Sequence, residues 1–264
     1  MPAFNEITPT QLMRLIGTPQ CPVIVNVCID EDFEADPFLI PTAFRHPHTD
    51  IAALLDLPMD TKIVCVCQKG RKLSHGVAAH LRTRGYEAEV LEGGNEAWRR
   101  TGFPRIPAQA IPGDVWVTRH RPKIDRIACP WLIRRFVDAK ATFLFVPPET
   151  VLDVADRFGA TAFDVGGSDW THQGENCSFD TMVQTFALSH PALDAVATIV
   201  RGADTNRHDL APQAAGLLAI SVGLSRMFRE DAAQLDAGMV VYDALYRWAR
   251  DGQNEGHDWP VGHV

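Results

Sequence analysis

Cys67 is followed within five residues by Lys69, Arg71 and Lys72, in a stretch from Lys62 to Leu81 that reads K-I-V-C-V-C-Q-K-G-R-K-L-S-H-G-V-A-A-H-L. A thiolate, not a thiol, is the nucleophile, and nearby positive charge with inward-turned loop amides favours the thiolate. The chemistry this pattern could support is attack by sulfur, in a loop able to cradle a sulfur oxyanion or a persulfide. A buried structural cysteine ringed by solvated lysines is the opposing reading. A second group comprises Arg119, Lys123, Arg126, Arg134 and Arg135, which with His120 make the most basic segment of the chain. Their guanidinium forks and point charges suit a divalent tetrahedral oxyanion; a solvated basic face is the alternative. A third group is His172, Glu175 and Cys177 in one glycine-containing loop, with Asp204 and His208 in another. These donor types suit zinc, iron or manganese. Against that, His172 could cap a helix and Cys177 could pack in the core.

The elements that must hold these residues follow from hydrophobic spacing. Ile63 to Val66 reads as a buried strand. Val77, Ala78 and Leu81 recur at helical spacing, so a helix is expected from about Ser74, and Cys67 falls where strand gives way to loop. The helix N-terminus adds partial positive charge there. Upstream, Thr8 to Ile16 reads as a helix capped by Thr8 with Pro9 at its first position, and Pro22 to Val27 as the first buried strand. Residues 102 to 113 hold Pro104, Pro107, Pro112 and two glycines, a linker composition. The expected division is a first domain over residues 1–106, a linker over 107–113, a second domain over 114–252 and a loose polar tail over 253–264. The second domain is predicted to open with strand Val115–Thr118. A helix should follow from Trp131 to Phe136 with Pro130 at its start, then strands near 143–146 and 161–165. From Phe179 the pattern is helical almost to the end, with Met227, Phe228, Met239, Tyr242, Leu245 and Trp248 as core.

Two resemblances sharpen this reading. Cys67-Gln68-Lys69-Gly70-Arg71-Lys72 between strand and helix resembles the active-site loop of the rhodanese family of sulfurtransferases. Gly85-Tyr86, Val90-Leu91 and Glu92-Gly93-Gly94-Asn95-Glu96-Ala97-Trp98 are similar to that family's closing segment, and Ile40-Pro41-Thr42-Ala43 to one of its turns. The likeness covers about the first 105 residues. It implies a doubly wound parallel α/β sheet, Cys67 as nucleophile, and Gln68, Lys69, Gly70, Arg71 and Lys72 as the cradle for substrate. Asn26 stands where an aspartate is common in that family, and Cys28 where an arginine is frequent. The second half resembles the C-terminal domain of the bacterial chromate-resistance family. The runs carrying that likeness are Trp116–Arg119, Lys123–Phe136, Phe143–Pro147, Arg201–Thr205 and Ala211–Leu217. It implies an association with chromate sensing or tolerance, which makes chromate one oxyanion for the basic segment to hold.

Composition limits the alternatives. The formal net charge of −8 argues against an overall nucleic-acid binder, and the basic helix shows no helix-turn-helix pattern. Met1 to Glu6 lacks a basic end followed by an apolar core, and no run approaches a membrane span, so a cytoplasmic protein with free thiols is expected. Cys65-x-Cys67 is too tight for a usual zinc pair; a disulfide from Cys65 or Cys28 to Cys67 is a minor alternative. His46, His48 and Asp50 read as loop polarity more readily than as metal ligands. The resulting expectation is a sulfurtransferase acting through a Cys67 persulfide, fused to a mostly helical domain with a small sheet. Its partners are a small sulfur donor and a thiol acceptor. Sulfur transfer itself needs no cofactor, and a divalent zinc, iron or manganese ion belongs, if anywhere, to the second half. The contrasting expectation is a chromate- or metal-sensing protein in which the first half is a scaffold.

Overall fold

The computed structural model describes residues 5–256, so Met1 to Phe4 and most of the expected polar tail lie outside the described residues. The first half holds β1 (Glu6–Ile7), α1 (Pro9–Leu15), β2 (Val23–Asn26), α2 (Asp30–Glu34), β3 (Phe38–Leu39), β4 (Phe44–Arg45), β5 (Lys62–Val66), α3 (Lys72–Thr83), β6 (Glu87–Leu91), α4 (Gly94–Thr101) and β7 (Ile106–Pro107). Five of these strands form one parallel sheet in the order β1-β6-β5-β2-β4. The N-cap expected at Thr8 is present: its hydroxyl accepts from the Gln11 amide while the Gln11 side chain accepts from the Thr8 amide.

Both faces of that sheet are covered, which is why its central strands read as continuous apolar runs. Alternation along β5 sends Ile63, Cys65 and then Cys67 to the face packed with Val77, Ala78 and Leu81 of α3. Val64 and Val66 point the other way, into a core shared with Leu12, Ile16 and Trp98.

The second half holds β8 (Val115–Arg119), α5 (Asp125–Leu132), β9 (Thr142–Val146), α6 (Val151–Phe158), β10 (Thr161–Ala162), α7 (Ser178–Thr185), α8 (Pro191–Asp204), α9 (Ala214–Met227) and α10 (Asp231–Arg247). Its small sheet is parallel, in the order β10-β8-β9. One expectation needs correcting here. The basic-segment helix begins at Asp125, and Pro130 lies inside it rather than at its start. Proline has no N–H to give back to the preceding turn, and the backbone widens into a π turn over Ile133–Val137.

At the start of the segment expected as a linker, Pro107 pairs with Phe38 in an antiparallel ribbon and the Ala108 amide donates to the Pro37 carbonyl (2.9 Å). The apolar core also runs across the boundary, joining Leu12, Ile16 and Trp98 to Trp116, Trp131, Phe136 and Tyr246. The Thr42 amide donates to the Phe136 carbonyl (2.7 Å) and the Gly17 amide to the Arg135 carbonyl (3.3 Å). A Cβ on Gly17 would stand 2.5 Å from the Phe136 ring and 2.6 Å from that of Tyr246.

Candidate functional site

Two sites emerge, one in each half. The first lies at the carboxyl end of β5, the central strand of the parallel sheet, the place where open α/β sheets hold ligands. Cys67 is the first residue past that strand. Its Sγ accepts the Arg71 amide at 3.3 Å and lies 3.2 Å from the Ser74 hydroxyl, which is itself 3.2 Å from the Arg71 carbonyl. Ser74 sits inside the first turn of α3 and links the sulfur to the loop.

The loop is clamped from behind by α4. The amide of Asn95 donates to the Cys67 carbonyl (3.1 Å) and that of Glu96 to the Gln68 carbonyl (3.0 Å). This approach requires glycine at 94, which has φ +59°: a Cβ there would lie 2.0 Å from the Cys67 carbonyl oxygen and 2.4 Å from the Gly70 nitrogen.

Among the described residues the Arg71 amide is the backbone donor that reaches Sγ, whereas the Gly70 amide turns to the Cys67 carbonyl (3.4 Å). Lys69 stands 4.0 Å from Glu96, and the Arg71 and Lys72 side chains are exposed at the mouth. Gln68 and Gly70 shape the turn through their backbones. Cys67 is 5% exposed, so little of its surface is open to solvent.

Cys28 borders the same space. Its amide donates to Asn26 Oδ1 (3.0 Å) and its Sγ accepts from Asn95 Nδ2 (3.3 Å). Burial, then the neighbouring Cys67, push its thiol up to about 12; burial does the same to Cys65. All six cysteines are free thiols. A cavity of about 410 Å³ lies on the Cys28 side, lined also by Arg45, His46 and His48. The His46 ring there contacts the Asp50 carbonyl and not its carboxylate.

The second site brings together Asp125, Asp164, His172 and Asp204. His172 Nε2 lies 3.1 Å from Asp204 Oδ2 and 3.6 Å from both Asp125 Oδ2 and Asp164 Oδ1. Asp125 is fully buried at the start of α5 and follows Ile124, whose φ of +40° is strained for a β-branched residue. Its Oδ2 accepts the first amides of α7, from Ser178 (2.6 Å) and Phe179 (3.4 Å). Its Oδ1 has no hydrogen-bond partner among the described residues.

Asp164 is held by the Ser178 hydroxyl (2.9 Å) on one oxygen and by Arg119 (2.8 Å) on the other. Arg126 Nε lies 3.3 Å from that second oxygen as an ion pair, without its N–H aligned for a hydrogen bond. Burial, then the Asp204 and Asp164 charges, push the Asp125 carboxyl well above the usual carboxylate range. Asp204 is raised by burial and then Asp164, with His172 opposing. Burial lowers Arg126.

Of the donors named from sequence, His172 and Asp204 converge; Glu175 and Cys177 do not join them. Glu175 is exposed and pairs with Arg207 at 3.3 Å. Cys177 is buried at the N-cap of α7, where the Asp180 carboxylate accepts its amide. Burial pushes the Cys177 and Cys129 thiols far up.

Sequence reasoning missed Asp125 and Asp164 because the first lies inside a basic run and the second past a short strand. Only the fold brings positions 125, 164, 172 and 204 together.

The five basic candidates do not form one oxyanion site. Arg119 and Arg126 go to Asp164. Arg135 grips Asp243 with two bonds of 2.7 and 2.8 Å, and Arg134 reaches the Ala141 carbonyl and stacks over Phe143. Lys123 is exposed. Arg134 and Arg135 border a separate cavity of about 640 Å³ between the halves, lined also by Cys21, Phe33, Ile111 and Val137. Among the described residues no helix is long and apolar enough to cross a membrane.

Known proteins match each half. Residues 116–249 match the family described as ChrB, C-terminal domain. Protein ChrB of Cupriavidus metallidurans is 33% identical over 172 residues, covering 64% of this chain and 52% of that protein, so the chain spans about half the length of that relative. The first half is similar to a rhodanese-related protein from Thermoplasma volcanium (21% identity, 39% of this chain, 98% of that one, TM-score 0.33). It is also similar to a rhodanese-like domain protein from Staphylococcus aureus (29% identity, 36% and 91%, TM-score 0.32). A thiosulfate sulfurtransferase from Pseudomonas aeruginosa shares 21% identity over 39% of this chain and 19% of its own (TM-score 0.32). The family match takes in just over half of the 264 residues, and the chain belongs to the ChrB C-terminal domain family.

Proposed function

We propose that the first half is a rhodanese-type sulfurtransferase that acts through Cys67, attached to a ChrB-family domain. The observation that carries this reading is the arrangement at one sulfur: the Arg71 amide and the Ser74 hydroxyl both stand at hydrogen-bond distance from Cys67 Sγ, in a loop braced by Gly94. Donors aimed at a sulfur stabilise its anionic form and that of a persulfide made on it. Lys69, Arg71 and Lys72 supply positive charge for an oxyanion donor.

In the first step the Cys67 thiolate attacks the outer sulfur of thiosulfate. A new S–S bond forms, the S–S bond of thiosulfate breaks, and sulfite leaves with the bonding pair. In the second step an acceptor thiolate attacks the outer sulfur of the Cys67 persulfide, and Cys67 departs as thiolate. No external oxidant or reductant is consumed.

The experiment is intact-mass spectrometry after incubation with thiosulfate. Wild type should gain the mass of one sulfur, lose it on addition of a thiol and show ping-pong kinetics; Cys67→Ser should gain nothing. Sulfur loading retained in Cys67→Ser, or absent from wild type, would exclude the mechanism. The burial of Cys67 favours a second reading, in which this half is a scaffold for a chromate- or metal-sensing domain. That reading expects no sulfur gain in either protein.

A further inference from the structure

The ChrB-family half carries four titratable side chains that the sulfur chemistry does not use. We propose that Asp125, Asp164, His172 and Asp204 bind a single divalent transition cation of the manganese or iron class. One donor atom each from Asp125, Asp164 and His172 lies within 4.8 Å of the other two, and Asp204 Oδ2 is 3.1 Å from His172 Nε2. The four residues come from four separate places: the start of α5, the turn after β10, the loop before α7 and the end of α8. That convergence costs something. Asp125 is wholly buried and one of its carboxylate oxygens lacks any hydrogen-bond partner among the described residues, an unfavourable arrangement that a bound cation would relieve. Asp204 is the last residue of the 14-residue helix α8, where the helix dipole opposes a carboxylate and favours a cation.

The surroundings have the form of an outer shell. Ser178 donates to Asp164 Oδ1 and Arg119 holds Asp164 Oδ2, fixing that carboxylate. The Ser178 and Phe179 amides fix Asp125. Hydrogen bonds of this kind orient metal ligands. Two guanidinium groups pair with Asp164, whereas among the described residues His172 is the cationic partner within ion-pair distance of Asp125 and Asp204.

One imidazole among three carboxylates is an oxygen-rich set. It lacks the thiolates of structural zinc sites, and its imidazole distinguishes it from all-oxygen magnesium and calcium cages. His172 is 42% exposed at its side chain, so the ion can be reached from solvent.

The test uses the full chain, stripped with a chelator and titrated with manganese(II), with free aqueous manganese followed by electron paramagnetic resonance. Wild type should take up about one equivalent, and its thermal midpoint should rise by about 5 to 10 °C at a hundredfold excess over the dissociation constant. His172→Ala should bind at least about 100-fold more weakly, since even outer-shell changes cost about 10- to 100-fold. Its exposure makes it the variant least prone to misfold, and Asp204→Asn should behave alike. Glu175→Gln and Cys67→Ser should bind as wild type. Zinc(II) should displace manganese, as the stability order of divalent ions requires, and magnesium at equal concentration should not. No saturable uptake by wild type, uptake undiminished in His172→Ala, or loss of uptake in Cys67→Ser would each overturn the proposal.

Discussion

Replacing Gly94 by alanine tests whether the Cys67 loop is set by the close approach of α4. The new Cβ would lie 2.0 Å from the Cys67 carbonyl oxygen, where real contacts rarely fall below 3.0 Å, so the loop must retreat by about 1 Å. The obstructing atoms are backbone, so no side-chain rotation relieves the clash. Retreat weakens the hydrogen bonds from Asn95 to Cys67 and from Glu96 to Gln68, each contributing about 1 kcal/mol. Alanine at φ +59° adds about 1–2 kcal/mol. Together these give a loss of about 2–4 kcal/mol, or about 5 to 15 °C in thermal midpoint for a chain of this size. A displacement of about 1 Å at a reacting centre costs on the order of 100-fold in rate, and the sulfur-loading rate should fall by about that factor. Gly93→Ala is the matched comparison. It has a similar backbone penalty at φ +68°, and its Cβ would lie 2.6 Å from the Ala97 Cβ, a clash within α4 and not with the cysteine loop. Calorimetry and the time course of sulfur gain on both variants decide the matter. If the two lose loading rate to the same extent, the clamp is not what positions Cys67.

Further expectations concern the core of the second half. Asp243 accepts two bonds from Arg135 and one from Trp131 Nε1 (2.9 Å); Asp243→Ala should cost about 3–5 kcal/mol in urea unfolding, because it strands a partly buried guanidinium, and a loss below about 1 kcal/mol would refute this. His190 Nδ1 accepts the Leu193 amide (3.1 Å) as the cap of α8, and burial lowers its pKa below the ordinary value of 6.5. Its neutral form is the one the fold favours, so that stability is complete above about pH 6.5 and is lost as pH falls through the lowered folded value. Asp125 and Asp204, with raised values, act in the opposite sense and gain stability on acidification in the metal-free chain. The difference in thermal midpoint between wild type and His190→Asn, which keeps a cap but does not titrate, should therefore shrink from pH 7.5 to pH 5; a constant difference would show that His190 is not the titrating group.

Cys67, its strand and the α3 helix were readable because they are local: a β-branched run, a break at Gly70 and a helical stripe lie within twenty residues. The same holds for Thr8 with Pro9 and for most helices of the second half. The positions that were not readable depend on long-range packing. Arg119, Arg126, Arg134 and Arg135 are close in sequence, yet the end of β8 and a helix with a π turn send them to Asp164, Phe143 and Asp243. His172 and Cys177 are five apart, yet one faces three aspartates and the other caps a helix in the core. Asp125 sits among basic neighbours, yet its contacts are with the Ser178 and Phe179 amides and His172, far along the chain.

The surface of the first half around Gly17 and Thr42 is covered by Phe136 and Tyr246. Ribosomes make about 5–20 residues each second, so some 10 to 50 s separate the appearance of Gly17 from that of Tyr246. For that interval the parallel sheet carries a naked greasy flank, and a nascent chain has every reason to be met by a chaperone before its own last long helix arrives.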